Sequence, residues 1–354
     1  MATARDVLDA LRSVKYPGFS RDIVSFGIVR DIEVGGLGTV ITLAPPADSP
    51  DLADRLRAEI VRAASSVPGV GDVTLVTAPA PTPAAPARPR GPQGIPGVAN
   101  VLAVASGKGG VGKSTVAANL AVALLEHGSV GLLDADVYGP SVPLLLGLDD
   151  AEPHVTSERR IHPLEAHGLR AISMGSFVER DRPVIWRGPM VTKLIGEFLH
   201  NVDWGQLDYL VLDLPPGTGD VQLTLSQQLA MTGGVIVTTP QDVALADVKR
   251  GLKMFQQVNV PVLGVIENMS GHVCAGCGHR SDIFGSGGGK AMAAQLGIPF
   301  LGAIALTRAL RESADAGTPL VAADPANPVS AQFREIAATI VRAAADREAL
   351  RVTP

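Results

Sequence analysis

The sequence predicts an α/β protein: a mostly parallel sheet with helices on both faces, preceded by a small α+β domain. Three observations predict it. Short apolar runs alternate with helical stretches after residue 99, a glycine-rich loop stands between a strand and a helix, and a proline-rich stretch divides two different patterns. The 354 residues suffice for two domains and a full core. The balance of 30 Lys and Arg against 35 Asp and Glu gives −5, which excludes the general basic character expected of a nucleic-acid binder. Two Cys exclude a disulfide scaffold and suit a reducing, cytoplasmic compartment. The start MATARDVLDALRSVKYP carries early acids and lacks an unbroken apolar core, so no secretory signal is expected. No apolar run approaches ~18 residues, so no membrane partner is expected.

The first domain spans 1–78. Val7–Val14 reads as a short amphipathic helix, then Ile23–Ile32 and Thr39–Leu43 as strands joined by the GGLG turn at 35–38. Asp51–Ser65 has helical apolar spacing, and Val73–Val76 follows Gly71-Asp72 as a last strand. The stretch 79–98 is a Pro/Ala-rich linker: Pro79–Gly97 holds seven of the 27 prolines and offers little to pack. In 99–354 the expected strands are Val101–Ala105, Val130–Leu133, Arg170–Ile172, Tyr209–Leu212, Val235–Thr238, Val262–Ile266 and Leu301–Ile304. Ligands of such sheets sit at the carboxyl ends of the strands, where the remaining motifs fall.

Gly107-Lys108-Gly109-Gly110-Val111-Gly112-Lys113-Ser114-Thr115 follows the first of these strands and opens a helix. It fits G-x-x-x-x-G-K-[ST] in the required context. Glycines let backbone N–H groups close around phosphates at a helix N-terminus, whose dipole favours anions. Lys113 is placed to reach the terminal phosphates of ATP and Ser114 to ligate Mg²⁺. No acid occurs between Asp72 and Glu126. Two further strands end in Asp134, with Asp136 beyond it, and in Asp213, followed by Pro215-Pro216-Gly217-Thr218-Gly219. A Mg²⁺–nucleotide site needs carboxylates for the metal and a group to orient the attacking water. Asp213 and Asp134 are expected around the Mg²⁺ and Asp136 at the water; helix capping is the competing use of such acids. Asn268 ends another strand. Its amide can read an adenine edge or make an ordinary turn.

Both cysteines lie in Gly271-His272-Val273-Cys274-Ala275-Gly276-Cys277-Gly278-His279. Three uses compete. A redox dithiol is expected at a helix N-terminus, which the glycines oppose. Zinc could take Cys274 and Cys277 with His272 and His279. A [4Fe–4S] cluster commonly takes four thiolates, which two chains related by a two-fold axis supply.

Together these residues resemble the Mrp/ApbC family of iron–sulfur cluster carrier ATPases, within the MinD/ParA-like class of deviant phosphate loops. The resemblance covers about 99–345: GKGGVGKST, DADVYGPS, RGPM at 187–190, DYLVLDLPPGTGD, ENMS, the Cys pair and RSDIFGSGG at 280–288. Residues 1–77 resemble the small domain of iron–sulfur assembly factors. The resemblance implies a homodimer in which Lys108 reaches the nucleotide of the opposite subunit. It also implies a labile [4Fe–4S] cluster bridging two subunits on Cys274 and Cys277, passed to apo iron–sulfur proteins in company with other assembly factors. Slow ATP hydrolysis would bias the dimer between holding and releasing states. A ParA/MinD-like partitioning ATPase and a zinc-stabilised nucleotide-binding scaffold are the alternatives. Against the first, the C-terminal PVSAQFREIAATIVRAAADREALRVTP reads as a helix docked on the core, not as a basic membrane helix.

Overall fold

The computed structural model describes residues 2–16, 22–25, 27–35, 38–43, 50–77, 92–137, 139–156, 160–177, 199, 201–217, 219–274 and 276–352. The RGPM motif, Tyr138, Thr218, Ala275 and most of the Pro-rich stretch lie outside them. The chain divides into two compact units, one on Met1–Arg90 with Phe177–Ile185, the other on Gly91–Ser176 and Trp186–Pro354.

The first unit runs α1 (Ala4–Leu11), β1 (Val29–Gly35), β2 (Gly38–Leu43), α2 (Pro50–Ser65) and β3 (Val73–Thr77). Thr3 and Asp6 form a reciprocal capping box that starts α1. Strand β2 is central, antiparallel to β1 and parallel to β3. Val7, Leu11, Ile23, Ile41 and Ile60 are fully buried and make its core. The strand expected at Ile23–Ile32 begins only at Val29. Asp22 is the reason: its Oδ1 accepts the N–H groups of Val24 and Ser25 and its Oδ2 the Ser25 hydroxyl, which winds the start of that run into a turn.

The second unit begins with β4 (Val98–Ser106), α3 (Lys113–Leu124), β5 (Val130–Asp134), α4 (Val142–Leu146), β6 (Leu164–Ala166), β7 (Leu169–Ser173) and β8 (Leu207–Asp213). It continues with α5 (Asp220–Gln228), β9 (Gly233–Thr238), α6 (Asp242–Gln257), β10 (Val262–Glu267), β11 (His272–Val273), β12 (Arg280–Ser281) and α7 (Gly288–Leu296). It closes with β13 (Phe300–Ala303), α8 (Arg308–Asp315), α9 (Leu320–Ala323) and α10 (Pro328–Val352). The main sheet has the order β13-β10-β9-β4-β8-β5-β7-β6. All neighbours are parallel except β6, which folds back on β7 through His167 and Gly168, both at positive φ.

Every residue of α3 from Val116 to Leu124 is buried, so this helix is apolar all round instead of amphipathic. Helix α10 packs against it with Val329, Phe333, Ile336, Ala337 and Ile340, a helical stripe set in the core. Asn119, buried in α3, donates to the Thr115 carbonyl and accepts the Val321 N–H, joining the phosphate-loop helix to α9. The strand carrying the loop therefore lies mid-sheet, and the helix after it is clamped by the C-terminal elements.

Candidate functional site

The loop after β4 is shaped by close approach. A Cβ on Gly107 would stand 2.1 Å from the Cβ of Asp247, and one on Gly112 would stand 2.4 Å from Asn268 Nδ2. Gly110 and Gly112 also hold φ of 80° and 77°, where a side chain is strained. Gly112 caps α3, and Lys113 is its first residue. Lys108 is partly buried, and its carbonyl accepts the Ser106 hydroxyl at 2.9 Å.

Strands β5 and β8 are neighbours in register, which sets Asp134 opposite Asp213. Lys113 lies among the acids: Nζ is 2.5 Å from Asp213 Oδ1, 4.0 Å from Asp136 Oδ2 and 3.3 Å from the Ser114 hydroxyl. Asp213 is fully buried. Burial pushes its carboxyl up, and the Lys113 ammonium opposes that shift. Its Oδ2 is buried without a hydrogen-bond partner. Asp134, also fully buried, is fully engaged: Oδ1 accepts the Asp136 N–H, and Oδ2 accepts the N–H groups of Ser141 and Val142 and the Ser173 hydroxyl. Burial and the Asp213 charge push it up to about 7. Asp136 in turn accepts the Gly139 N–H. Lys113 thus lies beside Ser114, Asp136 and Asp213, while Asp134 stands opposite Asp213 with its oxygens turned to the next loop.

Asn268 is buried beside the loop, and its Nδ2 donates to the Val111 carbonyl at 2.8 Å. The donor end of the amide weighed for an adenine edge is thus turned to the loop itself. Glu267, one residue earlier, is a buried acid that sequence reasoning passed over, and it turns away from the loop. It is fully buried; Oε1 accepts the Ser270 hydroxyl at 2.6 Å and the Gly287 N–H at 2.8 Å, and Oε2 accepts the Gly289 N–H at 2.5 Å. Its signal was an acid ending an otherwise apolar strand just before the asparagine.

The cysteines lie in the connection between the two strands of an antiparallel ribbon, β11 with β12. The Cys274 N–H donates to the His279 carbonyl and the Gly278 N–H to the Cys274 carbonyl, closing a tight knuckle. N–H groups of Gly276 and Cys277 point at the Cys274 sulfur and hold its thiol below the ordinary range. Cys277 is exposed, as are Val273 and Ile283 nearby. Among the described residues, no three His, Cys, Asp or Glu side chains gather into a metal-holding group, so His272 and His279 do not join the thiols.

A strand, glycine loop and helix on a parallel sheet, with a buried loop lysine among strand-end aspartates, define a P-loop NTPase. The chain belongs to the family described as NUBPL iron-transfer P-loop NTPases, whose model matches residues 97–341. Residues 4–75 match a second family model, described as an iron-sulfur cluster assembly protein. An iron-sulfur cluster carrier protein of Synechocystis is 44% identical, over 97% of this chain and 99% of its own. One from Aquifex aeolicus is also 44% identical, over 94% and 96%. Among solved structures, a nucleotide-binding protein of Archaeoglobus fulgidus in complex with ADP is 39% identical, with TM-score 0.56 over 63% of this chain and 88% of that one. The Pyrococcus furiosus cell division ATPase MinD, at 24% identity and TM-score 0.54, covers 69% of this chain and 98% of its own and shares the fold.

Proposed function

We propose that the chain is an ATP-hydrolysing iron–sulfur cluster carrier of the cytoplasm. In this reading it works as a homodimer, takes a labile [4Fe–4S] cluster from assembly factors and delivers it to apo iron–sulfur proteins. The observation that carries this reading is the Cys274–Cys277 knuckle. It presents one activated and one exposed thiol, with no third ligand beside them among the described residues. Such a half-site is complete only when a second copy adds its pair, giving the four thiolates a cubane cluster commonly takes. The exposed Val273 and Ile283 around it suit contact with that second copy. The names of the Synechocystis and Aquifex relatives support the same cargo.

ATP is the substrate of the loop Gly107–Thr115. Gly107, Gly109, Gly110, Val111 and Gly112 contribute backbone around its phosphates. Lys113 leaves Asp213 for the terminal phosphates, and Lys108 is offered to the partner's nucleotide. Asp136, on its own loop beside Lys113, accepts a hydrogen bond from the water that attacks the γ-phosphorus, releasing ADP and phosphate. An anionic nucleotide entering beside the Asp136 and Asp213 carboxylates calls for a cation. The residues present fit Mg²⁺, because Asp213 Oδ2 is buried without a partner and the Ser114 hydroxyl lies beside Lys113. When bound, the ion offsets phosphate charge. Asp134, expected in that shell, already accepts four hydrogen bonds; we assign it to holding the Asp136 loop. Asn268 keeps its carbonyl end for the adenine amino group.

Anaerobic reconstitution with iron and sulfide tests the reading. The parent is expected to retain about four irons and four sulfides per dimer, with a broad visible absorbance lost in Cys274→Ala. Retention of zinc and no iron would sink the carrier reading and leave a nucleotide-binding scaffold with structural thiols.

A further inference from the structure

The end of β10 holds two parts of the molecule at once. Asn268 fixes the Val111 carbonyl of the phosphate loop. A trans peptide is planar, with C=O and N–H opposed, so that hydrogen bond also fixes the direction of the Gly112 N–H within the cradle. Glu267 grips both ends of the neck from which the cysteine ribbon departs and returns: Ser270 before it, Gly287 and Gly289 after it. Those glycines open α7, whose dipole favours the buried carboxylate. The Ser270 N–H also donates to the Ile304 carbonyl and the Leu306 N–H to the Gly271 carbonyl, which sets the outgoing strand of the neck against the segment after β13.

Between the two grips stands Met269, a non-glycine residue at φ 57°. Such strain persists only where its surroundings over-determine it. Met269 also reaches toward the loop: its Cε lies 3.6 Å from the place a Gly112 Cβ would take. Loop, strained turn and ribbon neck are therefore consecutive along one short path.

We infer that Glu267 and Asn268 are positioning residues through which nucleotide occupancy of the phosphate loop is transmitted to the Cys274–Cys277 ribbon. The inference deepens the carrier reading and rests on it, giving that reading a route by which ATP changes the grip on the cluster. A nucleotide that re-aims the Val111–Gly112 peptide displaces Asn268. The strained Met269 passes the displacement to Ser270 and Glu267, and the neck follows.

The test uses the full-length, cluster-free chain and reads alkylation of Cys274 and Cys277 by iodoacetamide, with and without a non-hydrolysable Mg–ATP analogue. Sedimentation of the same samples reports self-association. In the parent, nucleotide is expected to change the alkylation rate by about fivefold or more, the lower range of ordinary coupling. In Glu267→Gln, where one carboxylate oxygen becomes a donor facing a donor, nucleotide still binds but the ratio falls to near one at unchanged oligomeric state. Met269→Gly, which relieves the left-handed backbone and keeps the fold, is expected to weaken the ratio as well. A parent rate that ignores nucleotide, a full ratio in either variant, or a ratio lost only together with a change of oligomeric state would overturn the inference. Alkylation needs no iron, so a chain that reconstitutes normally but shows no nucleotide effect on its thiols keeps the carrier function and loses this link.

Discussion

In the proposed reading Lys113 has two partners to choose between. In the structure its ammonium is taken by Asp213, with both side chains buried. Removing one member of a buried pair leaves an uncompensated charge, so Lys113→Ala is expected to lose about 3–5 kcal/mol of stability as well as nucleotide binding. Adding Asp213→Asn should recover most of the stability and none of the binding, which denaturant unfolding and a fluorescent nucleotide can separate. Asp134 makes a different prediction. Its carboxyl lies at about 7 against an ordinary 3.8, because burial and Asp213 oppose its charge. The native chain therefore holds that proton more tightly than the unfolded chain. The resulting stabilisation is complete below about pH 4 and lost as pH rises through about 7. Across that window the unfolding free energy of the ligand-free parent should fall more steeply than that of Asp134→Asn, by at most about 1.4 kcal/mol per pH unit. Equal slopes would mean that Asp134 is ionised throughout.

Among the elements, the loop and its helix depend on what surrounds them. Gly112→Ala introduces a Cβ at positive φ and against Asn268, so it should abolish nucleotide binding while the rest of the sheet stays folded, as circular dichroism would report. Phe333, fully buried on α10, supports α3 from the outer side. Phe333→Ala is expected to cost about 3–5 kcal/mol, with nucleotide affinity falling only as far as the loop helix loosens. The element pattern was legible in the sequence wherever strands were buried on both faces: β4, β5, β8, β9 and β10 each extend the expected apolar run by a few residues at most. Legibility failed where local side-chain chemistry took over. Asp22 turned the start of the expected 23–32 strand into a turn. The three-residue β6 and the two-residue β11 and β12 carry too few side chains for a period to show.

For the whole molecule, the phosphate loop and the cysteines belong to one unit, and both adjoin the end of β10. Replacing both cysteines by serine is expected to remove the cluster in reconstitution while leaving nucleotide binding in place, since neither thiol lines the phosphate loop. Loss of both together would place the cysteines in the fold itself. Among the described residues no helix is long and apolar enough to cross a membrane.

The sequence by itself determined the class of protein. Phosphate binding, a buried parallel sheet and thiol ligation each demand particular residue types at short spacing, and short spacing survives without coordinates. The glycine loop with Lys113 and Ser114 and the close pair of cysteines stand out in the sequence for that reason. Only the tertiary structure decided what each carboxylate touches. Asp134 and Asp213 both end a strand in the same way, yet one faces backbone N–H groups of the next loop and the other faces Lys113 across 100 residues. It also decided the part of Glu267, whose partners lie on both sides of the ribbon and come together only when the chain returns. Partners far apart in sequence are chosen by packing, which no local pattern records.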